Sequence, residues 1–145
     1  MIKYLKYNDK DFLTLCRKLE IEHKEVIKEQ RSIGANCMDN LDKYKYVLVN
    51  YDNEIPNGII ALTEPINGIS EIGRVFVEHD YRNKGIMTQM LNEVELIAKT
   101  NGAKKLRLCT YNRFVSAVKL YTKFGFREIK DKSETGFLIY MEKIL

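Results

Sequence analysis

Val75-Phe76-Val77-Glu78-His79-Asp80-Tyr81-Arg82-Asn83-Lys84-Gly85-Ile86-Met87 is an apolar run that passes through a basic turn with one glycine into an amphipathic segment. Beyond it, Met87, Met90, Leu91, Val94, Ile97 and Ala98 recur at three- and four-residue spacing, which predicts one apolar face of a helix ending at Asn101-Gly102. A strand that enters a helix through such a turn suits an anion. The turn offers backbone N–H groups, the helix offers the partial positive charge of its N-terminus, and Arg82 and Lys84 add full charges beside it. Alone, the same residues also read as an ordinary solvated connection.

Working outward, residues 46–49 and 58–63 read as strands joined through a turn at 52–57, and Pro65 with Asn67-Gly68 marks a second turn before a strand over 71–77. Three strands with short connections make a meander. After the 87–100 helix, residues 105–110 alternate. A further helix follows with the stripe Ala117, Leu120, Tyr121 and Phe124, stopped by Gly125. Strand, helix, strand implies a parallel pair joined by a crossover. Short strands are predicted at 126–129 and 136–141, linked by a polar segment at 130–135. At the other end, residues 2–7 alternate as a first strand. Asn8 or Asp9 can cap a helix with the stripe Phe12, Leu15, Cys16 and Leu19, and a second helical piece takes in Val26 and Ile27. Gly34, Asn36 and Asn40 suggest irregular backbone before Tyr44.

The 145 residues, 45% hydrophobic, suit one domain with one core, spanning residues 1–145. A net charge of +4 with both signs interspersed fits local anion binding and argues against nucleic acid, which calls for a denser basic face. Cys16, Cys37 and Cys109 lack C-x-x-C spacing, and with only His23 and His79 no metal site is expected; the thiols read as reduced, in a cytoplasmic protein. No apolar run is long enough to span a bilayer, and the charge-interrupted start lacks the apolar stretch of a signal peptide. Gly68-Ile69-Ser70-Glu71-Ile72-Gly73-Arg74 has the glycine spacing of a P-loop, but Arg74-Val75 stands where Lys-Ser/Thr is needed and a strand follows instead of a helix. No G-x-G-x-x-G occurs.

Arg82-x-x-Gly85-x-Met87 after Val75-Phe76-Val77, followed by Ala117-x-x-x-Tyr121-x-x-x-Gly125-Phe126, resembles the GNAT superfamily of acyl-CoA-dependent N-acyltransferases in order, separation and chain length. That family has Gly or Ala where Met87 stands. The resemblance implies an α/β fold, a mixed and mostly antiparallel central sheet with helices on both faces, and acetyl-CoA as co-substrate. It implies that the amides of residues 83–88 (Asn83, Lys84, Gly85, Ile86, Met87, Thr88) cradle the pyrophosphate beside Arg82, while main-chain groups of Val75, Phe76 and Val77 pair with the pantetheine arm. Tyr121, which also reads as a core aromatic on its helix stripe, sits where relatives carry the tyrosine that protonates the departing thiolate. A backbone N–H near Phe76 would serve the oxyanion.

A base must accept the ammonium proton before the nitrogen attacks. Glu71 matches a position where relatives place that glutamate, and it reads equally as a strand-edge charge; Glu78 and His79 are further candidates. Asn112 reads as the N-cap of the last helix or as a displaced contact to the ligand, because relatives often carry an asparagine where Phe114 stands. Arg74 reads as an acceptor-site charge or a solvated residue. Glu22, His23, Arg31 and Asn36 fall in the region lining the acceptor site in relatives. The expected activity is acetyl transfer to the primary amine of a small molecule or peptide, with a longer acyl donor, a non-catalytic acyl-CoA-binding module and a nucleic-acid binder as alternatives. Dimers are common among such relatives.

Overall fold

The computed structural model describes residues 1–27, 36–129 and 137–145. Seven strands form one sheet in the order β1-β2-β3-β4-β5-β7-β6, with β1 Ile2–Leu5, β2 Tyr44–Asp52, β3 Ile55–Thr63, β4 Ile69–Val77, β5 Lys105–Tyr111, β6 Arg127–Ile129 and β7 Leu138–Ile144. Every neighbouring pair is antiparallel except β4 with β5. The α-helices among the described residues are α1 Lys10–Ile27, α2 Ile86–Thr100 and α3 Val115–Phe124. The expected mixed, mostly antiparallel sheet with helices on both faces is what the chain forms.

Asp9 starts α1: its Oδ1 accepts the N–H groups of Asp11 at 2.9 Å and Phe12 at 3.1 Å, satisfying two first-turn donors. Phe12, Leu15, Cys16 and Leu19 are buried against Val47, Val49, Ile59, Ala61 and Phe76 on one face of the sheet. On the other face Met90, Leu91, Val94 and Ala98 of α2 and Tyr121 of α3 pack on Leu48, Ile60, Leu62, Ile72, Leu106 and Leu108. Each fully buried Leu, Ile or Phe contributes about 1.5–3 kcal/mol relative to an exposed one, so the two faces together hold the sheet.

Several boundaries differ from the sequence expectation. The helical pieces around Leu19 and Val26 are one continuous helix. The β2–β3 turn is only Asn53 (φ 48°) and Glu54 (φ 73°), with Asp52 paired to Ile55 and Tyr51 to Pro56, so Pro56 lies inside β3. Two positive φ values match the right-handed twist of the flanking strands. Asn67 (φ 52°) and Gly68 (φ 77°) make the same kind of turn between Ile66 and Ile69, as their side chains suggest. Expectations at Gly34, Arg31, the segment 130–135 and Gly136 lie outside the described residues.

Candidate active site

The parallel pair supplies the opening. β4 and β5 are in register only at Ile69, Ser70 and Glu71 against Lys105, Leu106 and Arg107. β5 then stays with β7 as far as Tyr111, while β4 stays with β3 as far as Val77, so the two strands part in a wedge. A bulge in β4 sits at the fork. Ile59 faces Phe76 and Ala61 faces Gly73, leaving Arg74 and Val75 opposite the single residue Ile60, with Arg74 at φ 54°. A bulge bends its strand and leaves the extra residue out of the ladder. Gly73 is required by packing, because a Cβ there would stand 1.9 Å from the Tyr44 hydroxyl. The resulting cleft, about 780 Å³, is lined by β4 from Glu71 to Val75, β5 from Arg107 to Tyr111, α3 through Ala117 and Tyr121, and α1 through Leu19, Glu22 and His23.

Beyond the wedge, the chain leaves β4 at Val77 and turns through Asn83 (φ 63°) and Gly85 (φ 81°) into α2. The first α2 bond runs from the N–H of Gln89 to the carbonyl of Gly85 at 3.1 Å, and no side chain caps the helix. The N–H groups of Ile86, Met87 and Thr88 therefore have no acceptor within α2, and no acidic side chain lies in its first turn. Met87 is buried in the core, so its bulk is directed away from the turn. A Cβ at Gly85 would meet nothing within 4 Å; glycine is needed there for its φ, and the space outside is open. Asn83, Lys84 and Thr88 are exposed, and the Lys84 Nζ lies over the Tyr81 ring at 5.4 Å. Arg82 turns the other way. Its Nε–H donates to the Val77 carbonyl at 2.7 Å and its Nη2–H to Glu22 Oε2 at 2.6 Å, so its charge ties the turn to α1.

Tyr121 is 4% exposed, packs edge-on against Phe126 with centroids 6.0 Å apart, and lines the cleft. Its hydroxyl makes no hydrogen bond among the described residues, and burial pushes the phenol pKa up, holding it as a proton donor. Across the wedge Glu71 is exposed, its N–H bonded to Thr63 Oγ1 at 2.9 Å, and it has no ion-pair partner among the described residues. The cleft is thus lined by a protonated phenol from α3 and a carboxyl group from β4.

Other sequence candidates fall elsewhere. Glu78 pairs with Lys18 and His79 is exposed; neither lines the cleft. Asn112 does not cap α3, whose N-cap is Phe114; the Asn112 N–H bonds the Phe137 carbonyl at 2.8 Å. His23 packs on the Tyr111 and Phe114 rings and sits 3.3 Å from Cys37 Sγ through Nδ1. Asn36 Oδ1 accepts the Met38 N–H at 2.8 Å. Arg74 is half-buried on the cleft's lining, and all three of its guanidinium nitrogens donate to residues 37, 39 and 44. Tyr44, Cys37 and Glu20, which shape this wall, carry no local signal, since their partners lie 17 to 37 residues away. Among the described residues no group of three His, Cys, Asp or Glu could hold a metal ion, and no helix is long and apolar enough to cross a membrane.

The model of the acetyltransferase (GNAT) family matches residues 13–126. Over 81 residues, 56% of this chain, the sequence is 33% identical to an uncharacterised N-acetyltransferase, YobR, of Bacillus subtilis strain 168, and the match spans 32% of that relative's length. A Klebsiella pneumoniae protein assigned as an acyl-CoA N-acyltransferase shares the fold with a TM-score of 0.81 at 20% identity, covering 100% of this chain and 97% of the other. A GNAT family acetyltransferase of Elizabethkingia anophelis, with acetyl-CoA bound, shares it at 0.70 and 23% identity, covering 100% and 97%. With a family match that runs from α1 through the wedge and the turn into α2 to the Phe126 that follows α3, the chain belongs to the GNAT acetyltransferase family.

Proposed function

We propose that the chain, acting as one domain over residues 1–145, transfers an acetyl group from acetyl-CoA to a primary amine by direct attack. The observation that carries this reading is a tyrosine with a buried ring, its hydroxyl making no hydrogen bond among the described residues, that lines a wedge whose far end is an uncapped helix N-terminus. The fit to coenzyme A follows from three features: a strand freed from its neighbour, a left-handed glycine facing open space, and first-turn amides without acceptors. In the Elizabethkingia relative the same fold holds acetyl-CoA.

In this reading the amides of 83–88 hold the pyrophosphate, with Lys84 and Asn83 beside it. Main-chain groups of Val75, Phe76 and Val77 pair with the pantetheine arm, the Val77 carbonyl sharing its second lone pair with Arg82. Asn112, exposed just past the end of β5, is a further contact for the ligand. The co-substrate supplies the activated acyl group as a thioester. Glu71, directly or through a water, accepts the proton of the ammonium and passes it to solvent; a C–N bond forms as the C–S bond breaks, Tyr121 gives its proton to the sulfur, and the second proton that the nitrogen sheds restores the phenol through water. Metal has no part in these steps.

The test is thiol release from acetyl-CoA with a panel of primary amines, including small diamines, amino acids and short peptides. Amine-dependent release with formation of the acetylated amine supports the reading. Tight acetyl-CoA binding without release for any amine would assign the chain instead to a non-catalytic acyl-CoA-binding module.

A further inference from the structure

We propose that Arg74 is a positioning residue: it latches the turn at residues 36–40 onto the β4 bulge and so sets the wall of the cleft that the amine meets. The inference rests on the acetyltransferase reading and concerns how its acceptor side is built. Arg74 occupies a left-handed backbone position at φ 54°, which an L side chain rarely adopts. That conformation belongs to the bulge, and from it the guanidinium reaches back over the strand. Nε–H donates to the Cys37 carbonyl at 2.9 Å, Nη1–H to the Tyr44 hydroxyl at 3.1 Å, and Nη2–H to the Asp39 carbonyl at 2.8 Å. One planar fork thus serves three acceptors on two segments, a task a single ammonium cannot perform at fixed geometry.

The turn is held from the opposite side as well. Glu20 on α1 accepts the Cys37 N–H at 2.6 Å, and the Asp39 N–H closes the turn on the Asn36 carbonyl at 3.1 Å. Cys37 therefore hangs between a carboxylate on its amide and a guanidinium on its carbonyl, 3% exposed, with its side chain against the cleft. Tyr44 completes the wall, its ring lying on Gly73 where no Cβ would fit.

This wall lies on the α1 face of the sheet, whereas Tyr121 reaches the cleft from the α2 and α3 face. The leaving sulfur must meet Tyr121, so the amine attacks the carbonyl from the other side, past Cys37 and Tyr44.

Arg74→Gly is the informative variant, since glycine adopts the left-handed φ without strain and keeps the bulge while removing only the guanidinium. With the amine that the panel identifies, Arg74→Gly should raise the acceptor KM about tenfold or more and leave acetyl-CoA affinity within about twofold. Arg74→Lys should recover little, and millimolar methylguanidinium should restore part of the acceptor KM in Arg74→Gly. Amide hydrogen exchange at Cys37 and Asp39 should speed up in the same variant, a readout that needs no turnover. Wild-type turnover with an unchanged acceptor KM in folded Arg74→Gly would overturn the inference alone. Unchanged exchange at 37 and 39 would overturn it even if no amine were turned over, a result that would separately count against the acetyltransferase reading.

Discussion

The turn proposed to hold phosphate and the wall proposed to face the acceptor are built on opposite principles. The turn presents main-chain amides whose direction is set by two left-handed residues on either side of Lys84, Asn83 and Gly85, and a helix start without a cap. The wall presents side chains whose place is set by hydrogen bonds between distant segments, Arg74 to Cys37, Asp39 and Tyr44, and Glu20 to Cys37. A site made of backbone tolerates most side-chain changes and depends on φ; a site made of long-range latches depends on each partner. The co-substrate side is thus generic, and the acceptor side is where this chain is individual.

Four changes would break or sharpen that contrast. Tyr121→Phe keeps the ring against Phe126 and removes only the donor, so kcat should fall about 10²- to 10³-fold with acetyl-CoA affinity intact. Gly85→Glu adds a carboxylate in the open space outside the turn, and its like charge against pyrophosphate should weaken acetyl-CoA binding about a hundredfold in titration calorimetry. Strain at φ 81° adds about 1–2 kcal/mol to the cost of folding, which thermal melting should show. Glu71→Gln should lower kcat/KM for the amine roughly tenfold to a hundredfold near neutral pH, with recovery as the amine deprotonates on its own at higher pH. Arg82→Ala breaks a partly exposed ion pair to Glu22 and should change acetyl-CoA affinity only a few-fold, because about 1 kcal/mol is the upper range for such pairs and the amides remain.

High pH acts on the buried thiols of α1 and of the wall. Burial pushes the Cys16 and Cys37 thiols up to about 12. An unfolded thiol titrates near about 8.5, so above that pH the unfolded chain loses protons that the folded chain keeps. Stability is full below that point and falls as the pH rises toward 12, which melting curves at pH 8 and 10.5 should register as a lower Tm at the higher value.

What the sequence made legible follows the same division. The α2 helix, the phosphate turn, the meander and the parallel crossover rest on local spacing and on residues with a direct backbone meaning. Asn67-Gly68 marked its turn because both residues favour positive φ. Asn53-Glu54 forms the same turn inside the expected 52–57 segment, and its tightness is not legible, since glutamate gives no such signal and Pro56 reads as loop rather than strand. Arg82 illustrates a subtler limit: its charge suggested phosphate, but Glu22, sixty residues earlier, takes it. Asn112 was well suited to cap α3, yet the helix begins later, at Phe114. Arg74 could be read as site charge or surface charge, and only the fold reveals a latch.

Direct transfer within one wedge is the central claim, and initial rates with acetyl-CoA and the amine both varied test it most directly. Attack by the amine on the thioester predicts double-reciprocal lines that intersect. Parallel lines would mean that the acyl group first passes to the protein, with the cleft-lining thiol of Cys109 the residue to suspect, and would contradict the account.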